Sequence, residues 1–421
     1  MKVLISAYAC EPNRGSEEGV GWNIVRRLAR SHSLTVITRK RNTEVILSCE
    51  EEWVKGVRWV FIDPPKSLTF WKKGARGVQV YYLMWQYLLW RKAKELMKDE
   101  TFDLTHHLTF GKYWVPSLLA GLNTPFVFGP VGGGESAPAP LRGGFSLKGK
   151  MSESSRELIQ KGLLMCPPAQ TLYRRAGWTL AATRQTEEAL KALGVERVSV
   201  QVQSGLGGDE LAALAGYGEL CEKRKFDGKR PLRLVTACRL IHWKGVDLAL
   251  ETISELVKRG HDVVLTVLQG GPELANLKTM AADLGIADRI TFAGRLPSLV
   301  DVYQEIGAAD ALLHPALHEA FGQSCLEALG IGVPVVCLKW GGPGLIVDDT
   351  CGVRISPGSR EETVNSLSNA VLRLYGEDQE RTFSAEQCRS RAAQFSWSAV
   401  VNSVNEAYRV ATRTSGDLDA N

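Results

Sequence analysis

The sequence has no apolar run approaching the roughly 18 residues that a membrane-spanning helix needs, so an integral helical membrane protein is excluded. Its nine cysteines include no C-x-x-C pair. An odd, scattered set of this kind argues against both a zinc site and a disulfide framework, and buried thiols in a reducing compartment are the expectation. Charge of one sign is scarce too. Lys and Arg number 51 against 46 Asp and Glu, a net charge of +5, too small an excess to demand nucleic acid. The amino end meets Glu11-Pro12 too early for a secretion leader. Lys2 to Ala7 therefore reads as a first strand, and the protein as cytoplasmic.

What is present suffices for two domains, since 421 residues exceed a single core. Strand signals at Leu34–Thr38, Val57–Ile62, Asp103–His107, Phe126–Phe128 and Trp178–Ala182 alternate with helical stretches. A second series comes at Arg233–Cys238, Asp262–Leu268, Ile290–Ala293, Asp310–Leu313 and Val335–Leu338. Such alternation gives parallel sheets with their loops gathered along one edge. Gly15, Gly19 and Gly21 after the first strand, and Gly132 to Gly134 after Phe128, let backbone approach a phosphate or sugar. The first loop is not the G-x-G-x-x-G of a dinucleotide fold. Gln201 to Gly208 reads as a hinge, and Glu222 to Arg230 as a solvated loop entering the second domain.

Chemistry concentrates in the second half. Arg239 and Lys244 occupy its first strand-to-helix loop, where ligands of parallel sheets bind. A planar guanidinium fork and a compact ammonium can together neutralise a leaving diphosphate. Gly270-Gly271-Pro272-Glu273 ends the next strand. From His314 to Leu338 the order is a strand, a loop carrying Glu319, a helix starting near Phe321-Gly322 and carrying Glu327, and another strand. The free N–H groups at such a helix start favour anions. In the first half, either His106 or His107 can meet a substrate sugar at a strand end. Between Phe70 and Lys94, the aromatic residues Phe70, Trp71, Tyr81, Tyr82, Trp85, Tyr87 and Trp90 interleave with Lys72, Lys73, Arg76, Arg91, Lys92 and Lys94. This segment either packs its aromatic face on its own sheet or lies on an anionic membrane surface. The only Asp-x-Asp, Asp417-Leu418-Asp419, falls in what reads as a disordered tail.

Taken in order, the glycine loop, Arg239-Leu240 to Lys244-Gly245, Gly270-Gly271-Pro272-Glu273 and Glu319-Ala320-Phe321-Gly322 to Glu327-Ala328 resemble glycosyltransferase family 4, retaining enzymes of the GT-B fold. The resemblance covers essentially the whole chain. Family members usually read Glu-Ser/Ala-Phe-Gly-x4-Glu-Ala at the last motif, which is its most specific part. The resemblance implies an α/β fold of two Rossmann-like domains with parallel sheets facing a central cleft. Residues 1–205, joined by a C-terminal helix at about 396–413, would bind the acceptor, and 206–395 the nucleotide-sugar donor. Arg239 and Lys244 would hold the diphosphate, Glu327 the ribose hydroxyls and Glu319 the hydroxyls of the transferred sugar. Ala320 and the amides of Phe321, Gly322, Gln323 and Ser324 would lie near sugar and phosphate, with Gly271 and Pro272 beside them. Gly15 and Ser16 would approach the diphosphate from the first domain, and His107 would face the reaction. Cys238 stands where relatives generally carry glycine, and Gln-Ser-Gly-Leu-Gly-Gly-Asp replaces their Asn-Gly-Val-Asp. The resemblance further implies neither metal nor cofactor beyond the donor itself, a UDP-sugar for preference. The acceptor would be a glycan or polyprenyl-linked glycan in surface or exopolysaccharide synthesis, with peripheral contact at an anionic inner membrane face and no nucleic acid. Rival readings are a nucleotide-sugar 2-epimerase of the same fold and a non-catalytic sugar-nucleotide-binding protein.

Overall fold

Short aliphatic runs such as Val3-Leu4-Ile5 and Val335-Val336 are apolar on both faces, the pattern of strands covered by helices on either side. In the computed structural model they build two wholly parallel sheets. The structure describes every residue except Asn13, Lys73, Ala75, Arg76, Ser204, 223–229, 376–381 and 419–421, together with the side chains of Ser16, 219–222 and 414–418. Most of the expected solvated loop Glu222–Arg230, Ser204 of the hinge, Lys73, Arg76 and Asp419 thus lie outside the described residues.

The first sheet contains β1 (Lys2–Ala7), β2 (Ser33–Arg39), β3 (Arg58–Ile62), β4 (Leu104–Thr109), β5 (Phe126–Val131), β6 (Trp178–Ala181) and β7 (Val198–Val200), in the order β3-β2-β1-β4-β5-β6-β7. The second contains β8 (Leu232–Ala237), β9 (Val263–Leu268), β10 (Ile290–Gly294), β11 (Ala311–His314), β12 (Val335–Leu338) and β13 (Gly352–Ile355), in the order β10-β9-β8-β11-β12-β13. The direction of winding reverses between β1 and β4 in one sheet and between β8 and β11 in the other. Ligands of doubly wound sheets bind at such switch points, beyond the carboxyl ends of the strands. Strands β7 and β13 were not anticipated. The first has only three residues, all half-buried, and the second begins at a glycine and carries Arg354.

The chain divides into two compact units. One comprises 1–134, 157–203 and 397–421, and the other 135–156 and 204–396. The segment 135–156, read in sequence as part of the first half, groups with the second unit. The C-terminal helix Trp397–Leu418 groups with the first, where Tyr408 is fully buried and Asn405 Oδ1 lies 2.8 Å from His32 Nε2. Asp417 and Leu418 continue that helix instead of forming a tail.

One buried carboxylate and one amphipathic helix fix the surroundings of the loops. At the entry to β11, Asp310 is 3% exposed and accepts from both Nη atoms of Arg230 (2.7 and 2.8 Å), from the Arg233 amide (2.9 Å) and from Tyr375 Oη (2.8 Å). A buried carboxylate satisfied from so many directions pins the start of β11 against β8. In the first unit, the helix Val78–Asp99 buries Tyr82, Trp85, Gln86, Leu89, Ala93 and Leu96, a stripe at helical spacing. Its aromatic residues are therefore divided. Tyr82 and Trp85 belong to the core, whereas Tyr87 is 52% exposed and Phe70, ahead of the helix, 80%.

Candidate functional site

In the second unit, the loops leaving β8 and β11 flank the switch point and are stitched together by backbone. Trp243 O accepts from the amides of Leu317 (2.9 Å) and His318 (3.3 Å). The loop after β12 supports them from beyond, with the Gly342 amide donating to Glu319 O at 2.8 Å. Gly341 takes φ +59°, and a Cβ there would collide with the Glu319 carbonyl, so only glycine lets these two loops close.

This framework brings Lys244 and Glu319 together. Lys244 Nζ donates to Glu319 Oε2, and Glu319 Oε1 accepts from the Phe321 amide at 3.2 Å. Burial alone would push the Glu319 carboxyl up, but the Lys244 ammonium, helped by His314 and the Phe321 amide, holds it down at about 2. Burial works against the Lys244 charge as well, and the Glu319 carboxylate more than restores it. Both groups are thus charged at neutral pH. An ammonium has three donors, so the pair leaves Lys244 two for another anion. The helix Gln323–Ile331 starts immediately beyond, behind Gly322 at φ +69° with no side-chain cap. Among the described residues the amides of Gln323 and Ser324 donate to nothing, which leaves a partial positive charge at this end of the helix. The Phe321 amide, expected at the sugar or phosphate, is instead engaged by Glu319.

Arg239 is exposed and has no side-chain partner among the described residues. Its loop is locked to the one after β9, because Leu240 N donates to Gly270 O (3.0 Å) and the Glu273 amide to Leu240 O (3.2 Å). Gly271 packs so closely on the Leu240 backbone that a Cβ would clash, while Pro272 is exposed. Glu327, half-buried on its helix, accepts from Gln323 Nε2 (3.3 Å) and Tyr303 Oη (3.4 Å). Burial pushes its carboxyl up to about 7, only partly opposed by those two bonds. The two glutamates of one motif thus have opposite electrostatic settings.

Several neighbours escaped the sequence reading. His314, at the end of β11, is 1% exposed, lies 4.0 Å from Glu319 Oε2 and has a hydrogen bond on neither ring nitrogen. Burial and the Lys244 charge lower its pKa to about 4, so it is neutral. Beside the pair, the 135–156 segment contributes Glu135 and Glu153, both nearly inaccessible. Arg156 Nη1 lies 3.3 Å from His318 Nδ1, and His318 Nε2 is 3.9 Å from Glu135 Oε1. Since a guanidinium can only donate, His318 Nδ1 accepts and its Nε2 carries the proton towards Glu135. Glu153 pairs with Arg156 and lies 3.5 Å from His242 Nε2. Each histidine adjoins a site residue or its loop in sequence, a signal that could have flagged it. The acidic partners come from a distant segment and could not be paired by reading along the chain.

The expected residues of the first unit are placed differently. His107 is 1% exposed, with Nε2 bonded to Tyr82 Oη and Nδ1 to Ser117 Oγ, each at 2.8 Å. His106 is fully buried between Tyr408 Oη (2.7 Å) and Gly129 O (2.6 Å). Burial lowers the pKa to about 3 for His107 and about 4 for His106. Every ring nitrogen is committed within the core, so His107 is not presented to a substrate in this structure. Gly15 precedes the helix Ser16–Leu28 in extended backbone, and a Cβ there would meet nothing within 4 Å. Gly19 and Gly21 are instead filled by the chain itself, against the carbonyls of Arg14 and Ala9. Among the described residues, no group of three or more His, Cys, Asp or Glu is placed to hold a metal ion, and no helix is long and apolar enough to cross a membrane.

Residues 221–385 match the family model for glycosyl transferases group 1, a range that contains Arg239, Lys244, Glu319 and Glu327. The whole chain superposes on the lipopolysaccharide outer core galactosyltransferase WaaB with a TM-score of 0.64 at 15% identity, covering 97% of this chain and 99% of that one. The fold is GT-B. In sequence, the chain is 31% identical over 227 residues to a 2-deoxystreptamine glucosyltransferase of Streptomyces kanamyceticus, covering 52% of this chain and 57% of the relative. It is 28% identical over 243 residues to a GDP-mannose-dependent alpha-(1-6)-phosphatidylinositol monomannoside mannosyltransferase of Mycolicibacterium smegmatis, covering 52% and 61%. The alignments thus span little more than half the length of these curated relatives. The residues that match the family model all lie within the second unit.

Proposed function

We propose that this GT-B protein is a retaining hexosyltransferase of glycosyltransferase family 4 that moves a sugar from a nucleoside-diphosphate sugar to a glycan or lipid-linked glycan acceptor. The observation that carries the reading is the Lys244–Glu319 pair beside a helix start with no side-chain cap, with Arg239 free on the loop that carries Lys244. Departure of a diphosphate builds negative charge on its β-phosphate. Arg239, the spare donors of Lys244 and the amides of Gln323 and Ser324 form a preorganised set for that charge. One helix end contributes only about 0.3–1 kcal/mol to an exposed anion, so the two cations carry most of the effect. Glu319, held ionised, accepts hydroxyls of the transferred sugar, and Glu327 those of the ribose. Retention and the preference for a UDP-sugar come from the family resemblance, as does a role in surface polysaccharide synthesis. Peripheral contact with an anionic membrane is supported by the exposure of Phe70 (80%), Val80 (55%) and Leu83 (50%), and anionic liposome flotation tests it.

The deciding experiment incubates the protein with UDP-, GDP- and ADP-sugars and monitors free nucleoside diphosphate. Release that requires a glycan or lipid-linked acceptor, with the donor's anomeric configuration kept in the product, is expected. Interconversion of the sugar with its nucleotide still attached would replace this reading by an epimerase. Nucleotide-sugar binding without turnover across acceptors would replace it by a sensor.

A further inference from the structure

A groove of about 720 Å³ lies in the first unit between edge strand β3 and the second half of the helix Val78–Asp99. That volume suits a ligand of a few rings, within the roughly 300–1,000 Å³ of small-molecule sites. Its lining is strongly one-sided in charge. Lys40, Arg91, Lys94 and Lys98 are all exposed and take part in no ion pair among the described residues, while Lys92 is paired with Glu95. The other acidic residue, Asp63, is occupied by Tyr81 Oη at 2.7 Å. Phe61, Tyr87 and Trp90 share this lining with the cations. Tyr87 is 52% exposed, its centroid is 6.1 Å from that of Trp90, and Lys94 Nζ lies 4.4 Å from the Trp90 ring centre.

Cations beside an edge strand can serve only to prevent strand pairing. One or two suffice for that, and guarding an edge calls for neither a concave volume nor an exposed ring. A bilayer, being flat, meets a convex or planar surface, whereas here the charge lines a groove. Unpaired ammonium and guanidinium groups recognise carboxylate or phosphate oxygens, and an exposed tyrosine face packs against the C–H face of a sugar ring. We propose that this groove binds an acidic oligosaccharide, with anionic groups at Lys40, Arg91, Lys94 and Lys98 and a sugar ring on Tyr87. Its lining includes none of Arg239, Lys244 and Glu319, and the proposal does not depend on the transferase reading.

The test is isothermal titration of the full chain at low ionic strength, where surface charge is least screened. Tetragalacturonate is the probe and cellotetraose its neutral control. Lys94→Gln/Lys98→Gln and Tyr87→Ala alter exposed side chains, and their melting curves should overlay that of the parent. Tetragalacturonate should bind and cellotetraose should not, with affinity falling roughly tenfold in the lysine double variant and roughly threefold in Tyr87→Ala. Absence of tetragalacturonate binding, or binding unchanged in both variants, overturns the proposal. It is equally overturned if polyglutamate or phosphatidylglycerol vesicles bind more tightly than tetragalacturonate and lose that binding in the same variants, since the groove would then belong to an acidic peptide or a bilayer.

Discussion

His107 and Glu319 are both polar residues beside a sheet's switch point, one buried near the end of β4 and the other half-buried just past β11, and their surroundings differ in kind. His107 is enclosed by two hydroxyls that use both its nitrogens, and burial keeps it neutral. Glu319 stays ionised by pairing with Lys244, and beside that pair are groups with nothing to bind, the His314 ring and two helix-start amides, while the Lys244 loop also carries the exposed Arg239 guanidinium. A satisfied neutral network contributes to one well-ordered core. A charged pair bordered by unused donors is held ready for something else. The difference lies mainly in what remains unpaired after folding, since both side chains are largely withdrawn from solvent.

The sharpest way to break this contrast is at the pair itself. Lys244→Ala should lower transfer about 10²–10³-fold, the range for loss of one preorganised charge-stabilising group. It should also destabilise the protein by about 3 kcal/mol, because the Glu319 carboxylate is left buried and uncompensated. The double variant Lys244→Met/Glu319→Gln removes both charges and should recover most of the melting temperature while turnover stays low. Normal turnover in Lys244→Ala removes the lysine from the mechanism. A double variant no more stable than the single one would show that the loss was not electrostatic.

The other side of the contrast is His107→Phe. Tyr82 Oη and Ser117 Oγ would each lose a partner inside the core, at a cost of about 1–3 kcal/mol. The melting temperature should drop, with turnover per folded molecule close to the parent's. A variant that melts normally but fails to turn over would place His107 in the site and erase its difference from Glu319.

Much of this was legible in the chain. Both parallel sheets, the loops bearing Arg239, Lys244 and Glu319, and the helix carrying Glu327 can be read from apolar runs alternating with glycine loops and helical periodicity. The state of each side chain could not. Phe126-Val127-Phe128 announces a strand. Nothing in Thr105-His106-His107-Leu108 announces that Tyr82, Ser117 and Tyr408, from three distant segments, would bind these imidazoles. Glu135 and Glu153 were invisible as partners of His318 and His242 for the same reason. The interleaved rings between Phe70 and Trp90 could be read as core or as surface, and they are both, because helical spacing turns Tyr82 and Trp85 inward and Tyr87 outward.

A smaller effect separates the two glutamates of the motif by pH. Glu319, held at about 2 in the fold against 4.5 ordinarily, contributes stability that is complete above pH 4.5 and lost as pH falls towards 2. Glu327 has the opposite sign. Its folded value of about 7 means that the folded state binds more protons between pH 4.5 and 7, so its ionisation erodes stability as pH rises through that window. Glu327→Gln should therefore gain about 1–2 kcal/mol at pH 8, discounted for its partial exposure, and almost nothing at pH 4. Urea unfolding at the two pH values measures this. Loss of stability at pH 8 would mean that the carboxylate is favoured where it lies and that the two glutamates are alike.

The smallest expected structural effect belongs to Gly15, which makes it the cleanest probe of the first unit. Its backbone is extended at φ −82°, open to any residue, and an added Cβ would touch nothing. Gly15→Ala should change stability by less than about 0.5 kcal/mol, as surface substitutions generally do. Gly21→Ala would instead drive a methyl group into the Ala9 carbonyl, and any activity it lost would be lost through the fold. Donor titration of Gly15→Ala therefore isolates what the glycine does for a ligand. A KM for the nucleotide-sugar raised severalfold at an unchanged melting temperature would mean that the bound diphosphate needs the space a Cβ would fill. An unchanged KM would confine donor recognition to the loops after β8 and β11, and the contrast between the two units would then extend from their buried residues to their glycine loops.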